Sequence, residues 1–114
     1  MKNLDKIQLS KNEQMALNEI RQKVSELFKI KSIILFGSIV RGETDEESDI
    51  DLLILTENKI DRPESHKITD IVCDVNLKYD TNYSILVIDS YTWDEGIYSI
   101  LPLKHEIQVE GIEI

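Results

Sequence analysis

The sequence is poor in several features that mark other classes of protein. Among its 114 residues are one cysteine, four glycines and two prolines. The single cysteine, Cys73, cannot form an internal disulfide or a multi-cysteine metal site, which is typical of proteins in a reducing compartment. So few glycines and prolines exclude collagen-like chains and flexible linkers.

Long apolar segments and positive charge are scarce as well. No apolar run approaches the ~18 residues of a membrane span, and the N-terminus lacks the apolar block of a signal peptide. The 13 Lys and Arg residues stand against 22 Asp and Glu, which gives a net charge of −9 at pH 7. Because non-specific nucleic-acid binding depends on basic side chains that neutralise phosphates, this balance argues against a nucleic-acid partner. We therefore expect a cytoplasmic protein that contacts neither membrane nor nucleic acid.

The length and the hydrophobic pattern predict one domain, residues 1–114, with an α/β or α+β sheet and helices packed on it. A capping box at Ser10 to Glu13 marks the start of a first helix. A second long helix begins near Asp61, and Cys73 lies beside its apolar stripe, so we expect this cysteine in the core. The other predicted elements are strands at 32–36, 50–55 and 83–88, a helical turn at 38–41, short helices near 91–97 and 101–110, and a final short strand at 112–114.

One stretch of the sequence combines residues that suit phosphate chemistry. Gly37 ends a buried strand without a Cβ, so an anion can approach the backbone closely, and Ser38 adds a hydroxyl and an N–H at the start of a helical turn. Asp49 and Asp51 are two residues apart on the next strand, so both side chains point to the same face, roughly 6.5–7 Å apart along the backbone. Two carboxylates on one face suit Mg²⁺, which typically takes one or two protein carboxylates together with substrate phosphates.

The motif from Gly37-Ser38 to Asp49-Ile50-Asp51, with Arg41 between them, resembles the signature of the DNA polymerase β-like nucleotidyltransferase superfamily. The short chain resembles in particular the minimal nucleotidyltransferases (MNT family). The resemblance in the motif covers residues 33–54, and the order of elements agrees over nearly the whole chain. It implies a small mixed β-sheet with helices mainly on one face.

The resemblance also implies an activity and the residues that carry it. Gly37 and Ser38 would bind the phosphates of a nucleoside triphosphate, and Asp49 and Asp51 would be the catalytic residues that bind Mg²⁺, in a two-metal site. Such enzymes transfer a nucleoside monophosphate, here AMP from ATP, to an acceptor hydroxyl and release pyrophosphate. Many minimal members resemble antitoxins encoded beside a helical HEPN-type toxin, and some add AMP to a tyrosine of that partner.

The sequence departs from the family pattern at one position. Active members carry a third carboxylate early in the next strand, and the corresponding position here falls near Ser84. Asp89 has the opposite parity, and Asp80 lies four residues too early. Three explanations stay open: a different strand register, an acid from elsewhere in the chain, or weakened catalysis, since general-base help contributes roughly 10²–10⁴ in rate.

Several alternatives remain open at this stage. Arg41 either contacts phosphate or pairs with an acid of the predicted loop at 42–48, whose own acids we expect in solvent. The leading function is transfer of AMP to a partner protein as the antitoxin of a HEPN/MNT pair. The alternatives are a catalytically weak nucleotide-binding antitoxin that acts by docking, and a small-molecule (antibiotic) nucleotidyltransferase. Homodimerisation suits so short a domain, but the sequence specifies no interface.

Overall fold

The computed structural model describes residues 9–42 and 49–114, which form a four-stranded sheet with helices on both sides. The predicted loop acids at 43–47 lie outside the described residues. Along the chain the elements are α1 (Lys11–Leu27), β1 (Ile30–Phe36), α2 (Ser38–Arg41), β2 (Ile50–Thr56), α3 (Arg62–Tyr79), β3 (Tyr83–Asp89), α4 (Ser90–Asp94), a 3₁₀ helix (Ile97–Ile100), α5 (Pro102–Glu110) and β4 (Ile112–Glu113).

The sheet is mixed, and its strand order is β3-β2-β1-β4. Strand β1 runs antiparallel to both β2 and β4, whereas β2 and β3 are parallel. Helix α3 makes the crossover between the two parallel strands, as parallel pairing requires. The predicted mixed sheet and the α/β class are therefore confirmed.

Two apolar clusters lie on opposite faces of the sheet. On one face the long helices α1 and α3 pack over Ile50, Leu52 and Ile54, whose side chains alternate with those of the other face. On the second face Leu53 and Leu55 form a smaller cluster with residues of α4 and α5. The long helices thus lie on one face as predicted, and the short C-terminal helices cover part of the other.

The predicted start of α1 is confirmed in detail. The Ser10 hydroxyl accepts from the backbone N–H of Glu13, and the Glu13 carboxylate accepts from the backbone N–H of Ser10. Farther along α1, the Glu19 carboxylate accepts from Lys78 Nζ at 2.7 Å and from the Tyr79 hydroxyl at 3.0 Å, which ties α1 to the end of α3. The hydrogen bond from Lys78 is the main reason that the pKa of Glu19 falls to about 2.

Two expectations from the sequence are wrong. Cys73 is exposed, because one residue corresponds to 100° of helix rotation and Val72, its neighbour in α3, occupies the buried face. The helix predicted over 91–97 ends already at Asp94, and a separate 3₁₀ helix follows. The break lies at Gly96, whose backbone runs so close to Thr92 that a Cβ on Gly96 would lie 2.8 Å from the Thr92 carbonyl oxygen.

Within residues 9–42 and 49–114, no helix is long and apolar enough to cross a membrane.

Candidate active site

The end of strand β1 and the start of strand β2 meet at one edge of the described structure. These strands pair antiparallel, and Phe36 lies directly opposite Asp51. The chain leaves β1 at Gly37, so the turn into α2 lies beside the Asp51 side chain. A single antiparallel pairing therefore brings the two halves of the sequence motif together.

Gly37 is required at this turn for two independent reasons. Its φ of 83° and ψ of −154° lie in a region that only glycine enters readily. In addition, a Cβ at this position would collide with the Asp51 carboxylate. The group that lies close to Gly37 in the structure is the Asp51 carboxylate, whereas the approach of a phosphate to this turn stays a prediction.

Asp51 is a partly buried acid with an altered proton affinity. Burial is the largest cause that raises the pKa of Asp51 above its ordinary value of 3.8, and the negative charge of Asp49 raises it further. The positive charge of Arg41 opposes both effects. A nearby cation would stabilise the charged form of Asp51, because its positive charge offsets the repulsion between the two carboxylates.

Asp49 is exposed and lies just before the first residue of β2. Its carboxylate accepts a hydrogen bond from the side-chain amide of Asn82, which comes just before β3. Because residues 50 and 83 are partners in the parallel ladder, residues 49 and 82 are neighbours one step earlier. Asn82 was not identified from the sequence, although the register that pairs Ser84 with Asp51 also brings Asn82 beside Asp49.

Ser84 lies directly beside Asp51 in the parallel ladder, and it is exposed. The register deduced from the sequence is therefore correct, and the position that would carry a third acid holds a serine. Asp89 is engaged elsewhere, because its carboxylate accepts from the backbone N–H and the hydroxyl of Thr92 at the start of α4. Asp80 ends α3 in a left-handed conformation (φ 56°) and precedes the strand.

The donor set fits a divalent cation that is completed by a substrate. Within the described ranges, no group of three or more His, Cys, Asp or Glu side chains could hold a metal ion. Asp49 and Asp51 are two carboxylates that interact electrostatically, and Mg²⁺ commonly binds one or two such groups plus phosphate oxygens and water. The site is thus suited to a metal that arrives with a polyphosphate.

Ser38 and Arg41 border the site from helix α2. Ser38 is half-buried as the first residue of α2, and Arg41 is exposed as its last residue. The Arg41 guanidinium forms an ion pair with Glu110 of α5 at 3.2 Å. Such exposed pairs contribute only about 0–1 kcal/mol to stability.

The nucleotidyltransferase domain family model matches residues 17–109 of the chain. Two proteins of Methanocaldococcus jannaschii, each named "Putative protein adenylyltransferase", are similar in sequence. One is 40% identical over 73 residues, which are 62% of this chain and 74% of that protein. The other is 39% identical over 94 residues, which are 76% of this chain and 60% of that protein.

Solved structures of toxin–antitoxin complexes share the fold. A chain of a toxin–antitoxin crystal structure with AMP-PNP has a TM-score of 0.58 at 18% identity, over 84% of this chain and 69% of its own length. A structure of a tri-AMPylated Shewanella oneidensis HEPN toxin in complex with an MNT antitoxin gives a TM-score of 0.51 at 17% identity, over 88% and 69%. The match of the family model across most of the chain shows that this chain belongs to the nucleotidyltransferase domain family.

Proposed function

We propose that this protein is a Mg²⁺-dependent nucleotidyltransferase that transfers AMP from ATP to a hydroxyl group of a partner protein. The observation that carries the proposal is the contact between Gly37 and the Asp51 carboxylate, beside which Asp49 lies. An acidic pair that attracts a cation thus lies beside the turn at Gly37, which supports metal-dependent phosphate chemistry at this end of the strands. The archaeal relatives whose names specify protein adenylylation support the choice of AMP and of a protein acceptor.

Each site residue has a role in this proposal. Asp49 and Asp51 hold the metal, and Asn82 fixes the orientation of the Asp49 carboxylate through its hydrogen bond. The backbone of Gly37 and the hydroxyl of Ser38 bind the phosphates that leave as pyrophosphate. Arg41 contributes positive charge beside these phosphates.

The reaction proceeds by displacement at the α-phosphate of ATP. A bond forms between the acceptor oxygen and the α-phosphorus, and the bond between the α-phosphorus and the bridging oxygen to the β-phosphate breaks. Pyrophosphate leaves, and the acceptor hydroxyl loses its proton to water. Bound Mg²⁺ would supply charge neutralisation for the phosphates and the entering oxygen.

We propose as the partner a HEPN-type helical protein, which this chain would silence as an antitoxin in the cytoplasm. The structures with the same fold come from toxin–antitoxin complexes, and one of them contains a HEPN toxin modified with AMP. The net charge of −9 suits a partner with a basic contact surface. The shared fold supports this assignment.

Incubation with ATP labelled at the α-phosphate, Mg²⁺ and a HEPN-type protein encoded beside this gene tests the proposed function. We expect label on the partner, no label from ATP labelled at the γ-phosphate, and a loss of about 10³-fold in the double variant Asp49→Asn/Asp51→Asn. Asp70→Asn, an exposed acid on α3, is the matched control and should transfer normally. Unchanged transfer by the double variant would show that the reaction does not depend on Asp49 and Asp51 and would overturn the proposed site.

A second candidate function is a nucleotide-binding antitoxin that acts by docking. The specific observation in its favour is Ser84, which occupies the place beside Asp51 without a carboxylate. In that case the partner would co-purify equally well with the wild type and with the Asp49→Asn/Asp51→Asn variant, and no label would be transferred. The two candidates thus differ in label transfer as well as in their dependence on the acids.

A further inference from the structure

Strand β3 is an outer strand of the sheet. Some of its outward-facing backbone groups have hydrogen-bond partners, and others do not. In the strand order β3-β2-β1-β4, β3 pairs with β2 on one side and has no neighbouring strand on the other in the described parts of the chain. The backbone N–H of Ile50 donates to the carbonyl of Asn82, which fixes the alternation of the parallel ladder. Even-numbered residues of β3 therefore bond to β2, and the odd-numbered residues direct their N–H and C=O groups outward.

Both ends of this outer edge are closed by the chain itself. At the first end, the side-chain amide of Asn76 accepts from the N–H of Tyr83 and donates to its carbonyl, as a neighbouring strand would. At the other end, β3 ends at Asp89, whose carboxylate accepts from the backbone N–H and the hydroxyl of Thr92 as the chain turns into α4. Between them, Ile85 and Val87 present two N–H and two C=O groups that bond to nothing else in residues 9–42 and 49–114.

The open section of the edge lies next to the candidate site. Ser84 and Leu86, which alternate with the two open residues, point to the same face of the sheet as Asp51. A strand added along β3 would lie two strand spacings from β2, about 10 Å from the Asp51 backbone. A long side chain on that added strand can extend across Ser84 towards a nucleotide bound at Asp51.

We propose that the open section at Ile85 and Val87 binds an extended segment of the acceptor protein by strand addition, and that this segment presents the acceptor hydroxyl to the site. The inference rests on the proposed transfer to a protein. Two copies of this chain could pair through the same edge, but each carries a charge of −9, which opposes their association. A neutral or basic segment meets no such repulsion.

The binding test follows amide hydrogen exchange of Ile85 and Val87 in the full chain by NMR. The probe is a synthetic peptide of about nine residues, long enough for a typical strand, with alternating threonine and valine, terminal lysines and a central tyrosine. The control peptide has the same side chains but is N-methylated at alternate residues. We expect the first peptide to slow exchange at both amides by about tenfold and the second to leave it unchanged.

A pair of variants tests the same contact from the side of the protein. Val87→Pro removes an outward N–H that the sheet itself does not use, a substitution that edge strands tolerate, whereas Val87→Thr keeps the N–H and the β-branched shape. Val87→Pro should abolish protection at Ile85 and reduce label transfer at least about tenfold, whereas Val87→Thr should retain both. Retained ATP binding by both variants shows that the fold is intact.

The outcomes separate strand addition from the proposed function. Protection of both amides without label on the peptide or on the HEPN-type partner would support the docking edge and count against the transferase. Label transfer that is equal in Val87→Pro and the wild type would overturn strand addition and leave the transferase standing. Absence of protection with both the peptide and the partner, or protection that grows with protein concentration alone, would also overturn the proposal.

Discussion

The two faces of the sheet are made by the same strands but differ along their length. On the face under α1 and α3, every residue that β2 contributes is fully buried, from Ile50 through Leu52 to Ile54. On the opposite face, Leu53 is buried, whereas Asp51 is only partly buried and has a raised pKa. The first face supplies stability along the whole strand, so the second face can carry a polar site at one end.

This comparison implies that stability and chemistry depend on different residues of the same strands. Substitutions under α1 and α3 should lower the free energy of unfolding without a specific effect on the site. Substitutions at the acidic end of the other face should alter ligand binding and transfer, with small effects on stability.

The largest effect is expected for Leu52→Ala on the buried face. Leu52 is 0% exposed between the sheet and the helices, so truncation should cost about 2–5 kcal/mol of unfolding free energy. The matched variant Leu86→Ala, on the other face of the neighbouring strand, removes a partly exposed side chain and should cost less than half as much. Urea unfolding followed by circular dichroism measures both losses, and equal losses would show that the two faces are equally important.

The next largest effect is expected for Ser84→Asp on the site face. An acid beside Asp51 completes a group of three carboxylates, and general-base help should then raise label transfer by about 10²-fold. Ser25→Asp, which makes the same charge change on an exposed position of α1, should leave transfer unchanged. If Ser84→Asp transfers no faster than the wild type, the docking antitoxin becomes the better description of this chain.

A smaller effect is expected for Gly37→Ala at the turn beside the acids. The added methyl group forces an unfavourable backbone conformation, at about 1–3 kcal/mol, and pushes the Asp51 carboxylate away. Gly42→Ala is the matched control, because Gly42 also has a positive φ, of 71°, but no atom of residues 9–42 or 49–114 lies within 4 Å of the added Cβ. Both variants should lose stability, but only Gly37→Ala should weaken ATP binding in isothermal titration calorimetry; equal weakening would mean that Asp51 has no part in ATP binding.

The sequence was sufficient to predict the parts of the fold that depend on local patterns. The capping box at Ser10 and the alternation of Asp51 with Leu52 follow from spacing alone, and the structure confirms both. The prediction that Cys73 lies in the core is wrong, because an apolar neighbour in sequence does not by itself imply burial. In a helix, position on the wheel decides burial, and Cys73 is about 100° away from Val72.

The candidate site was predictable only where its residues share one motif. Gly37 and Asp51 were identified as a pair, and the antiparallel pairing brings them into contact. Glu110 was missed because it reaches Arg41 from α5, far away in sequence. Asn82 was missed although the register that pairs Ser84 with Asp51 brings it beside Asp49. Neither residue type has a pattern that marks such a role.

The smallest effect in this comparison is the stability change expected for Asp51→Asn. Burial and the Asp49 charge raise the folded-state pKa of Asp51 above 3.8, so the folded protein holds this proton more tightly than the unfolded chain does. Stability therefore falls as the pH rises from about 4 through the folded-state pKa, and above it the charged form carries the full cost. Asp51→Asn removes that charge, so it should raise the melting temperature slightly at pH 7, and this gain should vanish below about pH 4. Thermal melts of both proteins between pH 3 and pH 8 measure the difference.

Added Mg²⁺ with ATP should reverse the order of the two melting temperatures at pH 7. The ligand should stabilise only the wild type, because the carboxylate that lowers stability in the free protein is the one that binds the metal. A wild type that melts above Asp51→Asn at pH 7 without ligand would show that Asp51 contributes to the fold rather than to the site.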